Sequence, residues 1–303
     1  MAGIRRCWLL GWSMAAILAA TVAAAAETDA APRHLERDGL ARSYLVHRPA
    51  GLDRAVPVPL VIMLHGGFGT ARQAQASYGW NAVADRAGFV VAYPDGIGHS
   101  WNAGGMCCGP ALKRNIDDVG FLDQLIRELA AAENIDPRRI YLTGMSNGAA
   151  MSYRYACEGR QDLAAIGPVA GTLSYACAQA HPVSVLAIHG LDDANVPFAG
   201  GAGSKGVTPG RWQPVPATLE LLRDAARCAP ATTTRDGPLQ TTDARCAQGR
   251  AVVLVTIAGA GHQWPGSARK GLLQHLLGGD PPSTALDATE ALWTFFNGHP
   301  APP

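Results

Sequence analysis

Apolar residues along the chain fall into short runs separated by amphipathic stretches. Leu60-Val61-Ile62-Met63-Leu64 is continuous and apolar, and Phe89-Val90-Val91-Ala92-Tyr93 repeats the pattern until Pro94 stops it. Residues 140–143, 164–169, 183–188 and 251–257 follow in the same style. Runs this short without polar alternation predict strands buried on both faces. Between them, residues 72–87, 117–132, 147–157, 216–227 and 284–297 have helical spacing. Asp117 and Asp118 open the second of these, where the helix dipole favours negative charge. Strand–helix alternation predicts an α/β fold with a mostly parallel central sheet and helices on both faces. Residues 42–47 alternate less cleanly and are expected as an antiparallel edge. The Gly-rich stretch 200–210 is expected as a long surface loop.

The first residues stand apart. Arg5 and Arg6 precede an apolar run from Cys7 to about Val22, and Ala23 to Ala26 complete a small-residue cleavage site. This predicts a secretory signal peptide over 1–26 and a single catalytic domain over 27–303. The apolar core is short for a retained membrane anchor. Export to the periplasm or the medium is therefore expected, with no stable membrane anchor.

Composition narrows the classes. With 48% hydrophobic and 16% charged residues, a large core is available and extensive disorder is excluded. Lys+Arg 25 against Asp+Glu 24 becomes a slight acidic excess once Arg5 and Arg6 leave, so no nucleic-acid partner is expected. Cys107, Cys108, Cys157, Cys177, Cys228 and Cys246 remain after cleavage, an even set that suggests disulfides in an exported chain. Cys228 and Cys246 flank one polar loop and are expected to pair. No CxxC or HxxxH spacing points to zinc.

The chemistry concentrates in Gly144-Met145-Ser146-Asn147-Gly148, between a strand and a helix. A tight strand-to-helix turn lifts a serine hydroxyl above the sheet, and glycines on both sides let the backbone turn without a clash. A serine needs a base within hydrogen-bond reach, and the base needs an orienting carboxylate. In this fold class the acid and then the histidine follow in chain order, each after a later strand. Asp192 and Asp193 follow 183–188, and His262 follows 251–257 between glycines. Spacing alone leaves the two aspartates open. An oxyanion hole needs two backbone N–H donors. Asn147 is one, and Gly67 is preferred over Phe68 for the other. Trp101 and Trp264 are candidate walls of the acyl site, with core packing as the alternative.

His65-Gly66-Gly67, Trp101-Asn102 to Cys107-Cys108-Gly109, Asp117 to Phe121, Thr143 to Ala149 and Gly261-His262-Gln263-Trp264-Pro265-Gly266 occur in one order. Together they resemble the polyhydroxybutyrate depolymerase-like and feruloyl esterase-like branch of the α/β-hydrolases, from about Arg42 to about His299. The resemblance implies an α/β-hydrolase fold, no metal and no organic cofactor. It implies Asp193 as the acid, three residues before the Val196-Pro197 pair, with Gly67 and Asn147 as oxyanion donors and Asp118 as structural. The chain departs from the pattern at Ala149-Ala150, at Ala260 and in its longer loop over 200–214.

The function expected from these residues is a secreted serine ester hydrolase working through an acyl-enzyme. Polyhydroxyalkanoate-type esters or oligomers are the expected substrates, with feruloyl or acetyl esters of plant polysaccharide as the alternative. A non-catalytic binding protein on a hydrolase scaffold and a serine peptidase are the competing classes. Oligomeric state is not predicted.

Overall fold

The computed structural model describes residues 31–105, 109–205, 211–267 and 280–303. The signal segment and the Cys107-Cys108 pair lie outside the described residues. Residues Ala31–Pro303 form one compact unit.

In chain order the strands are β1 (Arg33–Arg37), β2 (Leu40–His47), β3 (Val58–Leu64), β4 (Val90–Pro94), β5 (Ile135–Met145), β6 (Ala165–Val169), β7 (Ser184–Gly190), β8 (Thr232–Asp236), β9 (Leu239–Arg245) and β10 (Ala251–Ile257). The helices are α1 (Ala71–Ser77), α2 (Trp80–Ala87), α3 (Gly109–Lys113), α4 (Asp118–Ala132), α5 (Asn147–Glu158), α6 (Val215–Ala226) and α7 (Ala288–Gly298). One ten-stranded sheet runs in the order β1-β2-β4-β3-β5-β6-β7-β10-β9-β8. Pairing is parallel from β4 through β3, β5, β6 and β7 to β10, and antiparallel on both flanks.

Successive side chains of a strand face opposite sides. Leu60, Ile62 and Leu64 of β3 join a core with Leu122 and Leu125 of α4, Met151 of α5 and Leu219 of α6. Val61 and Met63 face a second core with Trp80 of α2 and Leu292 and Phe296 of α7. Every residue of β3, β4, β6 and β7 is buried, which explains their unbroken apolar sequence.

Three expectations are corrected. Residues 72–87 form two helices, because Gly79 takes a left-handed φ of 76° and turns the chain between Tyr78 and Trp80. Strand β2 is antiparallel but is not the edge, since β1 pairs outside it. The polar stretch between Cys228 and Cys246 holds the hairpin β8–β9, added to β10. Strand β8 is fully exposed and β9 largely half-buried, so neither has an apolar face for the sequence to display. Cys228 and Cys246 are bonded as expected, and Cys157 is bonded to Cys177. Within the Gly-rich loop, Gly201 and Trp212 form an isolated antiparallel bridge, and Trp212 is half-buried.

One buried ion pair fixes the loop that runs toward the serine turn. Arg42 of β2 donates to Asp118 Oδ1 at 2.6 Å, with the two side chains 1% and 0% exposed. The guanidinium lies 3.8 Å from the centre of the Phe121 ring. Asp118 Oδ2 accepts the Asn102 N–H at 2.7 Å, and the Asn102 amide donates to Ile116 O at 2.9 Å. Burial pushes the Asp118 carboxyl above its ordinary value even with Arg42 pulling it back. Removing one partner strands a buried charge. Asp118→Ala is expected to lower the unfolding free energy by about 3–5 kcal/mol in urea titration, and the apolar double replacement Arg42→Met/Asp118→Leu to recover most of that loss. Equal stability of Asp118→Ala and the parent protein would contradict this role.

Candidate active site

Strand β5 ends at Met145 and α5 begins at Asn147, leaving Ser146 alone in the turn. Its backbone sits at φ 56°, ψ −114°, a conformation that non-glycine residues rarely adopt. The Ser146 N–H donates to Val169 O at 2.9 Å, and Ser146 O accepts the first helical bond from Ala150 N at 2.9 Å. The flanking glycines make the turn possible by close approach. A Cβ at Gly148 would lie 2.5 Å from Leu64 O and 2.6 Å from His65 O. One at Gly144 would lie 2.5 Å from the Gly148 carbonyl carbon. Helix α5 therefore starts directly against the end of β3.

The other predicted side chains meet here. His262 Nε2 lies 2.8 Å from Ser146 Oγ, and His262 Nδ1 lies 2.8 Å from Asp193 Oδ2. Partners define the tautomer: Nδ1–H donates to the carboxylate, and Nε2 accepts from the serine hydroxyl. Asp193 Oδ1 accepts the N–H groups of Asn195 and Val196 at 2.9 and 2.8 Å. Burial pushes the Asp193 carboxyl up, but the charge and hydrogen bond of His262, with His189 and the Val196 N–H, outweigh it and hold the group below its ordinary value. Asp193 is thus ionised wherever a neutral histidine base would work. Asp192 is exposed, and its N–H donates to Ala260 O at 3.0 Å, so its place is in the loop junction.

The loop after β3 lies against the serine turn. A Cβ at Gly66 would be 3.6 Å from Ser146 Cβ. Phe68 N–H donates to His99 O at 2.8 Å, so it is already committed to a backbone partner. Asn147 is fully buried, and its side chain clasps the Trp101 backbone, accepting from Trp101 N at 2.7 Å and donating to Trp101 O at 3.0 Å.

Both tryptophans expected at the acyl site are completely buried, and neither presents a face to substrate. Trp101 donates its indole N–H to His65 O at 2.9 Å and braces the loop after β3. Trp264 packs on Tyr78 with ring centres 4.7 Å apart, and its indole donates to Thr289 Oγ1 at 3.0 Å. Tyr78 in turn reaches Met145 Sδ at 3.6 Å, so the base loop and the serine turn share one packed wall.

Sequence reasoning assigned no role to His189, the penultimate residue of β7. It is fully buried, donates from Nε2 to Val196 O at 2.8 Å, and stands 3.6 Å from Asp193 Oδ2. Burial lowers its affinity for a proton. A histidine inside an otherwise apolar strand end, followed by the acid loop, was the available signal. Asp280 was also missed; its carboxylate accepts the His262 N–H at 2.8 Å, and no motif surrounds it. Among the described residues, no group of three His, Cys, Asp or Glu side chains is arranged to hold a metal ion, and no helix is long and apolar enough to cross a membrane.

A mostly parallel sheet with a strained serine turn after its fifth strand defines the class as an α/β-hydrolase. Comparison with known proteins makes this specific. The family described as esterase PHB depolymerase matches residues 42–189. The putative esterase NocK of Nocardia uniformis subsp. tsuyamanensis is 33% identical over 250 residues, covering 75% of this chain and 72% of that protein. The chain belongs to this esterase family. Feruloyl esterase B of Piromyces equi is 32% identical over 170 residues, which cover 53% of this chain and 31% of that relative's length. The fold is shared with the acetyl xylan esterase from Aspergillus awamori, at TM-score 0.56 and 14% identity over 85% of this chain and 94% of that one.

His65 carries the pH prediction. Gly96 N–H donates to its Nε2 at 3.0 Å and Nδ1 donates to Gly66 O at 2.8 Å, so the ring is held neutral. Burial lowers its pKa from 6.5 to about 4, against opposing pulls from the Gly66 carbonyl and the Asp95 charge. The unfolded chain therefore takes up a proton that the folded one refuses. Stability is complete above about pH 6.5 and declines as pH falls toward about 4, by up to about 3 kcal/mol from this group. His189 adds in the same direction. Urea titrations across that range should show the decline, and His65→Asn, less stable at pH 7, should show a smaller one. An unchanged pH slope in His65→Asn would contradict the assignment.

Proposed function

We propose that the protein is an exported serine carboxylic-ester hydrolase acting through an acyl-enzyme on Ser146. The observation that carries this reading is the continuous Ser146–His262–Asp193 hydrogen-bond line, 2.8 Å at each step, on a strained turn. His262 Nε2 takes the hydroxyl proton as Ser146 Oγ attacks the ester carbonyl. Asp193 holds the Nδ1 proton and stabilises the imidazolium that forms. The N–H groups of Gly67 and Asn147 receive the oxyanion. His262 then gives its proton to the leaving alcohol, and water deacylates the serine by the reverse relay.

The substrate class favoured is a hydroxyalkanoate-type ester or oligomer, in keeping with the family. A second reading, a feruloyl ester, is supported by the relatives named as feruloyl esterases and by Phe68. That residue, next to Gly67, stands 55% exposed at a left-handed φ of 64°, an apolar side chain left in solvent. Export is supported by the disulfides Cys157–Cys177 and Cys228–Cys246 among the described residues.

The test is hydrolysis of p-nitrophenyl acyl esters, hydroxybutyrate oligomers and methyl ferulate by protein recovered from the exported fraction, whose first residue should be Glu27. Hydroxybutyrate oligomers should give the highest kcat/KM, and Ser146→Ala should lower it at least about 1,000-fold on every ester. Preference for methyl ferulate would select the second substrate reading. Full activity in Ser146→Ala would refute the mechanism.

A further inference from the structure

We propose that Asp280 is a positioning residue for His262, and that Lys205 couples it to the acid loop; this rests on the Ser146–His262–Asp193 assignment. His262 sits in a loop with glycine on its N-terminal side, outside any helix or strand. Such a loop has the conformational freedom to miss the serine by an ångström, and a misplacement of that size is costly in rate.

Asp280 removes that freedom at the backbone. Its carboxylate Oδ2 accepts the His262 N–H at 2.8 Å, and its own N–H donates to His262 O at 3.1 Å. Both main-chain groups of the base are therefore held by one residue. The carboxylate also occupies the space beside Gly261, where a Cβ would lie 2.1 Å from Oδ2. The glycine before the base is thus explained by the seat it leaves for Asp280.

Lys205 extends the hold to the acid. Its ammonium lies 3.3 Å from Asp280 Oδ1, while its backbone N–H donates to Ala194 O at 3.1 Å. Two residues earlier, Gly203 packs so closely that a Cβ would lie 2.3 Å from Asn195 O. Ala194 and Asn195 belong to the loop whose N–H groups of Asn195 and Val196 fix Asp193. The Gly-rich loop thereby joins acid loop and base loop along a path separate from the Asp193–His262 bond. Among the described residues, the charged or titratable groups around His262 are Asp193 and His189, Asp192 beside Ala260, and the Asp280–Lys205 pair.

The two members of the pair have opposite electrostatic effects on an imidazolium at His262. The test measures kcat and KM for p-nitrophenyl acetate across pH in Asp280→Ala, Asp280→Asn and Lys205→Met, with Ser146→Ala as control and circular dichroism as the check on folding. Asp280→Ala should lose about 10- to 100-fold in kcat with little change in KM. Asp280→Asn keeps an acceptor for the His262 N–H and should restore most of that kcat. Its acid limb of kcat/KM should move to lower pH, because Lys205 then stands uncompensated, and the limb of Lys205→Met should move to higher pH. Should Asp280→Ala fail to fold, the opposed limb shifts of the other two variants decide. A normal kcat in Asp280→Ala, a loss confined to KM, or limbs that do not move overturn the proposal. Activity surviving in Ser146→Ala would instead refute the nucleophile, a distinct result.

Discussion

The rest of the site depends on one steric constraint, the contact of α5 with the end of β3 at Gly148. Any side chain there would collide with the carbonyl oxygens of Leu64 and His65. Because glycine permits the approach, the serine turn and the loop carrying Gly67 share one small volume. Ser146 accepts a strained φ of 56° as a consequence, a cost of about 1–3 kcal/mol that surrounding contacts must offset. Those contacts are identifiable. Val169 O holds the Ser146 N–H, Asn147 clasps the Trp101 backbone, and Trp101 and His65 lock the adjoining loops.

Asp193 and His262 approach this fixed point from the C-terminal ends of β7 and β10, neighbours in the sheet. Open parallel sheets place their sites at such ends because the connecting loops gather there. Gly190, the last residue of β7, lies against Ala260, where a Cβ would be 2.2 Å from its carbonyl oxygen, so the two loops are seated on each other. Asp193 and His262 are both buried, which strengthens the bond between them and keeps the Asp193 charge directed at one partner. Two further histidines, His65 and His189, are kept neutral by burial and serve as uncharged hydrogen-bonding brackets.

The parallel core and the serine turn were legible in the sequence because burial on both faces leaves continuous apolar runs, and because a tight turn requires glycines at fixed offsets. The loops carrying Asp192-Asp193 and His262 were legible from chain order. Spacing alone did not choose Asp193 over Asp192; the family resemblance implied Asp193, and the fold turns that side chain inward to His262. The hairpin β8–β9 was invisible because its register is set by the β10 backbone and not by an apolar face. Trp264 lies two residues after His262 and Trp101 lies in one of the motifs that carry the resemblance, yet their indole N–H groups are committed to Thr289 and His65. A place in a motif does not show which way a large side chain points. Asp280 is unreadable for the same reason: its partners are the backbone of His262 and the ammonium of Lys205, and neither leaves a spacing rule.

The most direct measurement is peptide mapping by mass spectrometry after reaction with a fluorophosphonate. A serine activated by His262 and seated at this turn should carry a single phosphonyl adduct, on Ser146, and pre-treatment with an ester substrate should slow its formation. Absence of an adduct, or an adduct on another residue with Ser146 unmodified, would contradict the assignment of Ser146 as the nucleophile.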